Sequence, residues 1–275
     1  MTSTSQEKDT GKTSYQLLLY FLVGDFDNQR QIDRERAKRK ESASVIDRNH
    51  GDGNNNDVNA NDSSDIHPYA VHINRIINSR INGIPDDFHG CFILEESYYT
   101  YLDKPNDKKT SKPHIFLIQP GGTGITADAS SGTQPLQRDS SVTLTPIQIP
   151  HHIPLEDLRN DNPTLRFEYS ELKPISWITT PLQYERSVRK RTPKDGTIAA
   201  CYDNLTQNEA SIEDDDILHV NQSYDIGKDT GKRFTLIETF SYHCLEVMEI
   251  IDDIQSGQRV SPQTYTTPIL YDRKS

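Results

Sequence analysis

Arg233-Phe234-Thr235-Leu236-Ile237-Glu238-Thr239-Phe240 and, after Ser241-Tyr242-His243, Cys244-Leu245-Glu246-Val247-Met248-Glu249-Ile250-Ile251 are two short runs rich in β-branched and aromatic residues. Runs of this kind, separated by a short connection, read as neighbouring strands. Similar runs recur along the chain at Val71–Asn78, Cys91–Leu102, His114–Gln119, Val142–Ile149, Leu165–Tyr169, Ser176–Glu185, Thr197–Tyr202 and Thr266–Tyr271. Pro, Gly, Asn or Asp separates most of them. No helical pattern of 10–15 residues falls between them, so an antiparallel meander is favoured over a parallel α/β sheet. A sheet of about ten strands curls, and closure removes its exposed edges. The expected fold is therefore mainly β, an antiparallel up-and-down β-barrel of about ten strands. Ser14 is followed by Tyr15, Leu18, Leu19 and Leu22, which carry the i, i+3, i+4, i+7 spacing of an N-terminal amphipathic helix that Gly24 would end.

In a barrel every second side chain faces inward. Phe234, Leu236, Glu238 and Phe240 share one face, which places a carboxylate among apolar residues. In Cys91-Phe92-Ile93-Leu94-Glu95-Glu96-Ser97-Tyr98-Tyr99 the adjacent glutamates ensure that one of them faces inward in either register.

The chain has 275 residues with 30 Lys and Arg against 41 Asp and Glu, a net charge of -11. An acidic chain of this kind is not expected to bind nucleic acid, which needs a basic surface. Only 33% of residues are hydrophobic and the mean hydropathy is -0.76, below the roughly 45–50% apolar content of an average domain. The polar excess concentrates in the first 13 residues, read as a disordered tail, and in three stretches read as insertions, at about 34–65, 121–141 and 204–232. Six of the thirteen residues from Asn49 to Asn61 are Asn, and such a stretch buries too little to offset its ordering entropy. The remainder of 14–275 reads as one barrel domain of ordinary composition.

The longest apolar run, Leu17 to Val23, is seven residues, whereas a bilayer-crossing helix needs about 20. With no secretory pattern at the N-terminus, and with Cys91, Cys201 and Cys244 odd in number and widely spaced, the cysteines read as free thiols in a reducing compartment, the cytoplasm or a plastid stroma. His151-His152 lies between Pro150 and Pro154 and reads as a loop, so no metal site is expected.

Phe21-Leu22-Val23-Gly24-Asp25-Phe26-Asp27-Asn28-Gln29-Arg30-Gln31 is similar to the opening GxFxNxxQ motif of the CpcT/CpeT-type phycobiliprotein chromophore lyases. His72-Ile73-Asn74-Arg75 resembles that family's next strand, and Phe92-Ile93-Leu94-Glu95-Glu96-Ser97-Tyr98 resembles its xxxEQxY strand, with Glu96 in place of Gln. Lys112-Pro113-His114-Ile115 falls where members often carry Pro-Tyr-Arg. The resemblance implies a calycin/lipocalin-like barrel that holds an open-chain tetrapyrrole, a bilin of phycocyanobilin or phycoerythrobilin type. It also implies transfer of that bilin to a cysteine of a phycobiliprotein β-subunit as a thioether.

Carried onto this chain, the resemblance makes Glu95 the carboxylate for the pyrrole N–H groups and Tyr98 a neighbouring donor. Asn28, Gln31, His72, Arg75 and His114 become the bilin-binding candidates, with Arg75 a propionate partner. Two other readings of the same residues stay open: a barrel that binds a tetrapyrrole or other apolar ligand without transferring it, and a filled barrel that acts as an interaction scaffold. Homodimerisation through strand edges or barrel faces is open as well.

Overall fold

The computed structural model describes residues 12–49, 67–100, 108–110, 113–121, 141–159, 162–176, 181–189, 215–226, 230–242, 244–261 and 265–274. Ten strands form a closed antiparallel barrel: β1 (Gly24–Asp27), β2 (Tyr69–Ile76), β3 (Cys91–Thr100), β4 (His114–Pro120), β5 (Ser141–Ile147), β6 (Leu182–Arg189), β7 (Asp215–Ile226), β8 (Lys232–Phe240), β9 (Cys244–Asp253) and β10 (Ile269–Arg273). Each strand pairs with its successor in the chain, and β10 returns to β1 through Phe26↔Arg273 and Asp27↔Asp272. The meander expected from the sequence is therefore closed on itself.

Helix α1 (Ser14–Leu22) starts at Thr13, whose side chain accepts from the backbone N–H of Gln16 while the Gln16 side chain accepts from the N–H of Thr13. This reciprocal capping box satisfies two of the donors that a helix start leaves unpaired. The buried stripe is Leu17, Leu18, Phe21 and Leu22: Leu18 and Leu22 are buried as expected, and Leu17 and Phe21 take the places of Tyr15 and Leu19, which are only partly buried. These four residues join Phe26, Ile118, Val142, Leu218, Phe240 and Leu245 in the principal core. The helix thus plugs the barrel on the side of β4, β5, β7 and β8.

The C-terminal carbonyls of α1 are held by the last strand. Arg273 donates to the carbonyls of Tyr20 at 2.8 Å, Phe21 at 2.6 Å and Val23 at 2.7 Å, and its guanidinium lies 4.8 Å over the Phe26 ring. Gly24 follows with φ of 144°, and a Cβ there would lie 2.8 Å from Nη1 of Arg273. Gly24→Ala is therefore expected to destabilise the fold by about 2 kcal/mol, through backbone strain and displacement of that clamp. Chemical denaturation would measure the loss, and an unchanged midpoint would contradict it.

The continuous apolar run Cys91–Leu94 is buried on both faces. Cys91 and Ile93 face the lumen, whereas Phe92 and Leu94 meet Ile77, Ile115, Ile147, Ile153, Leu158, Phe167 and Leu172 in a second core outside the wall. The run Leu165–Tyr169 belongs to this outer layer. Its two-residue strand Phe167–Glu168 pairs in parallel with Ile81–Asn82 and is not part of the barrel.

Two stretches read as insertions contain regular structure. Helix α2 (Gln29–Asn49) takes in Arg34 to Asn49, and β7 takes in Asp215 to Ile226. In β7 the alternation of Leu218, Val220, Gln222 and Tyr224 with His219, Asn221, Ser223 and Asp225 is that of a wall strand, and high polarity obscured it. Residues 122–140, Thr197–Tyr202 and most of the tail lie outside the described residues. Cys91 is a buried free thiol, but Cys244 takes part in a disulfide, which corrects the reading of three free thiols and removes the cysteine argument for a reducing compartment. No helix among the described residues is long and apolar enough to cross a membrane.

Candidate functional site

Register fixes which side chains line the lumen. Strand β2 sends Ala70, His72 and Asn74 inward, and their cross-strand partners on β3 are Tyr99, Ser97 and Glu95. Glu95 pairs in turn with His114 of β4. On the far side β8 contributes Leu236, Glu238 and Phe240, which face Glu249, Val247 and Leu245 of β9. Of the adjacent glutamates, Glu95 is the lumenal one.

Glu95 lies between two imidazoles. Its Oε2 is 3.3 Å from Nε2 of His72, and its Oε1 is 3.6 Å from Nδ1 of His114. Burial alone would raise the Glu95 pKa, but the two histidines outweigh it and hold the carboxyl well below the usual range. Burial would likewise discharge His72, yet the Glu95 carboxylate, with Glu238 and Glu249 behind it, raises its pKa. The pair is therefore a carboxylate facing an imidazole biased toward its protonated form.

Glu238 is the opposite case. Enclosure in the lumen raises its pKa to about 8, against the lowering effects of a hydrogen bond donated by Tyr184 and of the nearby His72. At neutral pH its dominant form is the acid. Glu249 is raised as well, first by desolvation and then by Glu95. Glu249 itself is an exposed residue of β9. Tyr99 and Tyr271 share a hydrogen bond nearby, and the Tyr271 ring meets His72 edge-on at 5.6 Å.

The other residues expected at the site are placed elsewhere. Tyr98 faces outward and donates to Glu96, with Arg159 5.7 Å from its ring centre. It therefore does not meet Glu95, and the lumenal tyrosine of this strand is Tyr99. Arg75 also faces outward, in an ion pair with Asp25 and a 3.1 Å bond to the carbonyl of Asn74, so it does not reach the lumen as a propionate partner.

Asn28 and Gln31 bond backbone. The Asn28 amide donates to the carbonyl of Pro68 at 2.8 Å and accepts from the N–H of Ala70 at 2.8 Å. The Gln31 amide donates to the carbonyl of Pro268 at 3.1 Å and accepts from the N–H of Leu270 at 2.9 Å. Three residues apart at the start of α2, they fasten the beginnings of β2 and β10 to one helix face. This structural role accounts for the N-x-x-Q spacing.

His72, Glu95 and His114 are thus brought together, joined by Glu238, Glu249, Tyr184, Tyr99, Tyr271 and Asn74. The alternation Leu245, Val247, Glu249, Ile251 could have revealed Glu249. Tyr184 and Asn74 carried no comparable signal. Outside the rim, His114 also borders an open pocket of about 370 Å³ lined by Ile147, Gln148, Ile149 and His151. Among the described residues no group of three or more His, Cys, Asp or Glu could hold a metal ion. Comparison with protein-family models and with curated proteins returned no match.

Proposed function

We propose that this chain is a bilin-handling barrel of the chromophore-lyase type, which takes an open-chain tetrapyrrole into its lumen and presents it to a cysteine of a phycobiliprotein subunit. The observation that carries this reading is Glu95, an ionised carboxylate on the lumenal wall flanked by His72 and His114. Its oxygens are suited to accept hydrogen bonds from pyrrole N–H groups, and lumenal tyrosines and aliphatic residues supply the apolar wall.

In the transfer step the acceptor's thiolate adds to the exocyclic double bond of the bilin. A carbon–sulfur bond forms, and the π electrons move into the conjugated system, which takes up a proton. No nucleophile from the barrel is needed. Glu95 would orient the pyrroles, while the carboxylic acid of Glu238 holds a transferable proton on the lumenal side and His72, its pKa raised by Glu95, is a second proton donor.

Position 115, where the resembling family commonly has Arg, is occupied here by Ile115, which is wholly buried in the outer core. The departure at this position therefore leaves the lumen unchanged, and the lumenal residue of the pair is His114. The second reading, a carrier that binds without transfer, is favoured by Arg75, whose pairing with Asp25 leaves propionates without that lumenal cation.

Co-expression with a bilin pathway and an acceptor β-subunit separates the two readings. A fluorescent adduct that survives denaturation is expected for a lyase. If absorbance shows bilin bound to the barrel but no adduct forms, transfer is rejected for that acceptor and the carrier reading stands. If no bilin is bound, both fall.

A further inference from the structure

The charge of the chain is divided unevenly. Of the eleven residues of α2 from Arg30 to Lys40, six are basic (Arg30, Arg34, Arg36, Lys38, Arg39 and Lys40) and two acidic, in a chain whose net charge is -11. Arg30 and Arg34, Arg34 and Lys38, and Arg36 and Lys40 are like charges four residues apart, a spacing that destabilises a helix. The two carboxylates within the run also serve other partners. Asp33 accepts from the Gln29 amide at 2.8 Å, and Glu35 accepts from the backbone N–H of His67 at 3.1 Å and lies 2.6 Å from Nδ1 of its ring.

Burial of Gln31 and Ile32 fixes the side that α2 turns to the barrel, and Arg36, Lys38 and Lys40 are exposed. Ile32 is the only apolar residue larger than Ala between Gln29 and Glu41, so the outward side has nothing to insert into a lipid surface. Helix α2 also contains no aromatic residue on which a base could stack, and its exposed Asp33 and Glu41 oppose a continuous line of phosphates. A protein surface can set carboxylates against the cations and donors against Asp33 and Glu41.

The place of this face in the fold points to its use. Helix α1 precedes β1 and α2 follows it, so the two helices lie at opposite ends of the barrel. Asn28 and Gln31 fasten α2 to the starts of β2 and β10. In the antiparallel wall this is also the end at which β4 begins with His114, the neighbour of Glu95.

We propose that the exposed face of α2 docks an acidic face of the acceptor subunit and holds it at the end of the barrel where His114 lies. The choice of this partner rests on the bilin reading, whereas its acidic character follows from α2.

The test is isothermal titration of a bilin-free phycobiliprotein β-subunit into the full chain at pH 7. Binding is expected, with an affinity that falls about tenfold or more between low and physiological ionic strength, and a free oligoglutamate peptide should compete with it. Lys40→Glu is expected to weaken binding about fivefold or more, and Arg36→Glu likewise. Lys173→Glu makes the same change of net charge at an exposed position outside α2 and is expected to cost less than about twofold. Circular dichroism checks that all three fold. No binding by the wild type, binding indifferent to salt, or equal losses in Lys40→Glu and Lys173→Glu would overturn the proposal. So would oligouridylate as the better competitor, which would assign the face to nucleic acid. Absorbance titration with bilin and no acceptor keeps the two readings apart. Bilin binding with docking indifferent to Lys40 removes this inference alone, and docking that depends on Lys40 without bilin binding removes the bilin reading alone.

Discussion

Asn28→Ala should lower the unfolding free energy by about 3–4 kcal/mol, because it strands the carbonyl of Pro68 and the N–H of Ala70 at a wholly buried position. The loss is larger than that of an ordinary helix cap, since the Asn28 side chain bonds strand backbone. The capping contact to α2 comes instead from Asp27, whose Oδ1 accepts from the N–H of Gln29 at 3.1 Å. Gln31→Ala should act in the same direction through Pro268 and Leu270. Urea denaturation followed by circular dichroism measures both. A change below about 1 kcal/mol in Asn28→Ala would mean that the joint between α2 and β2 adds little to stability.

Stability should fall as pH rises from 5 to 9, and Glu238 should account for most of the fall. Its carboxyl has an ordinary pKa of 4.5 and one of about 8 in the folded lumen. The folded state therefore binds this proton more tightly than the unfolded chain does. The resulting stabilisation is complete below about pH 4.5 and is lost as pH climbs through 8, with a limiting slope of about 1.4 kcal/mol per pH unit. His72, also raised, acts in the same direction above its ordinary 6.5. Glu95 acts oppositely, because its lowered pKa gives stability that is present above 4.5 and lost in acid. Glu238→Gln should remove much of the alkaline loss, so that the variant gains on the wild type between pH 6 and 9. Thermal melts across that range would show it. A wild-type curve that is flat or rising there would contradict a protonated Glu238.

The barrel was legible in the sequence because wall strands alternate, and alternation survives even when composition is misleading. The inward glutamate of Arg233–Phe240 and the inward member of the Glu95-Glu96 pair follow from a period of two alone. What was not legible has specific causes. Strand β1 is four residues long and directly follows a helix, so it lacks the length to show a period. Strand β7 hides behind an acidic run and carries Asn, Ser and Asp on its outer face. Among its described side chains helix α2 buries Gln31 and Ile32, and its later charges read as a solvated linker.

At the site, residues on one strand could be sorted by parity, which assigns Tyr98 and Arg75 to the opposite face from Glu95 and His72 once the register is known. The partners across the lumen could not be found this way. Tyr184 and Glu238 are 54 positions apart, and only the registers of β6 and β8 on the two sides of β7 bring their side chains together. The inversion of the two carboxyls, Glu95 ionised and Glu238 protonated, depends on which of them the histidines touch.

Visible-absorbance titration of phycocyanobilin into wild-type protein and Glu95→Gln, at pH 7 and with folding of both checked by circular dichroism, tests the central claim most directly. Wild type should shift and intensify the long-wavelength band with saturation near one bilin per chain, and Glu95→Gln should weaken binding by about tenfold or more. Identical titrations would remove Glu95 from the site, and an unchanged bilin spectrum with wild type would contradict the assignment of the lumen as a bilin site.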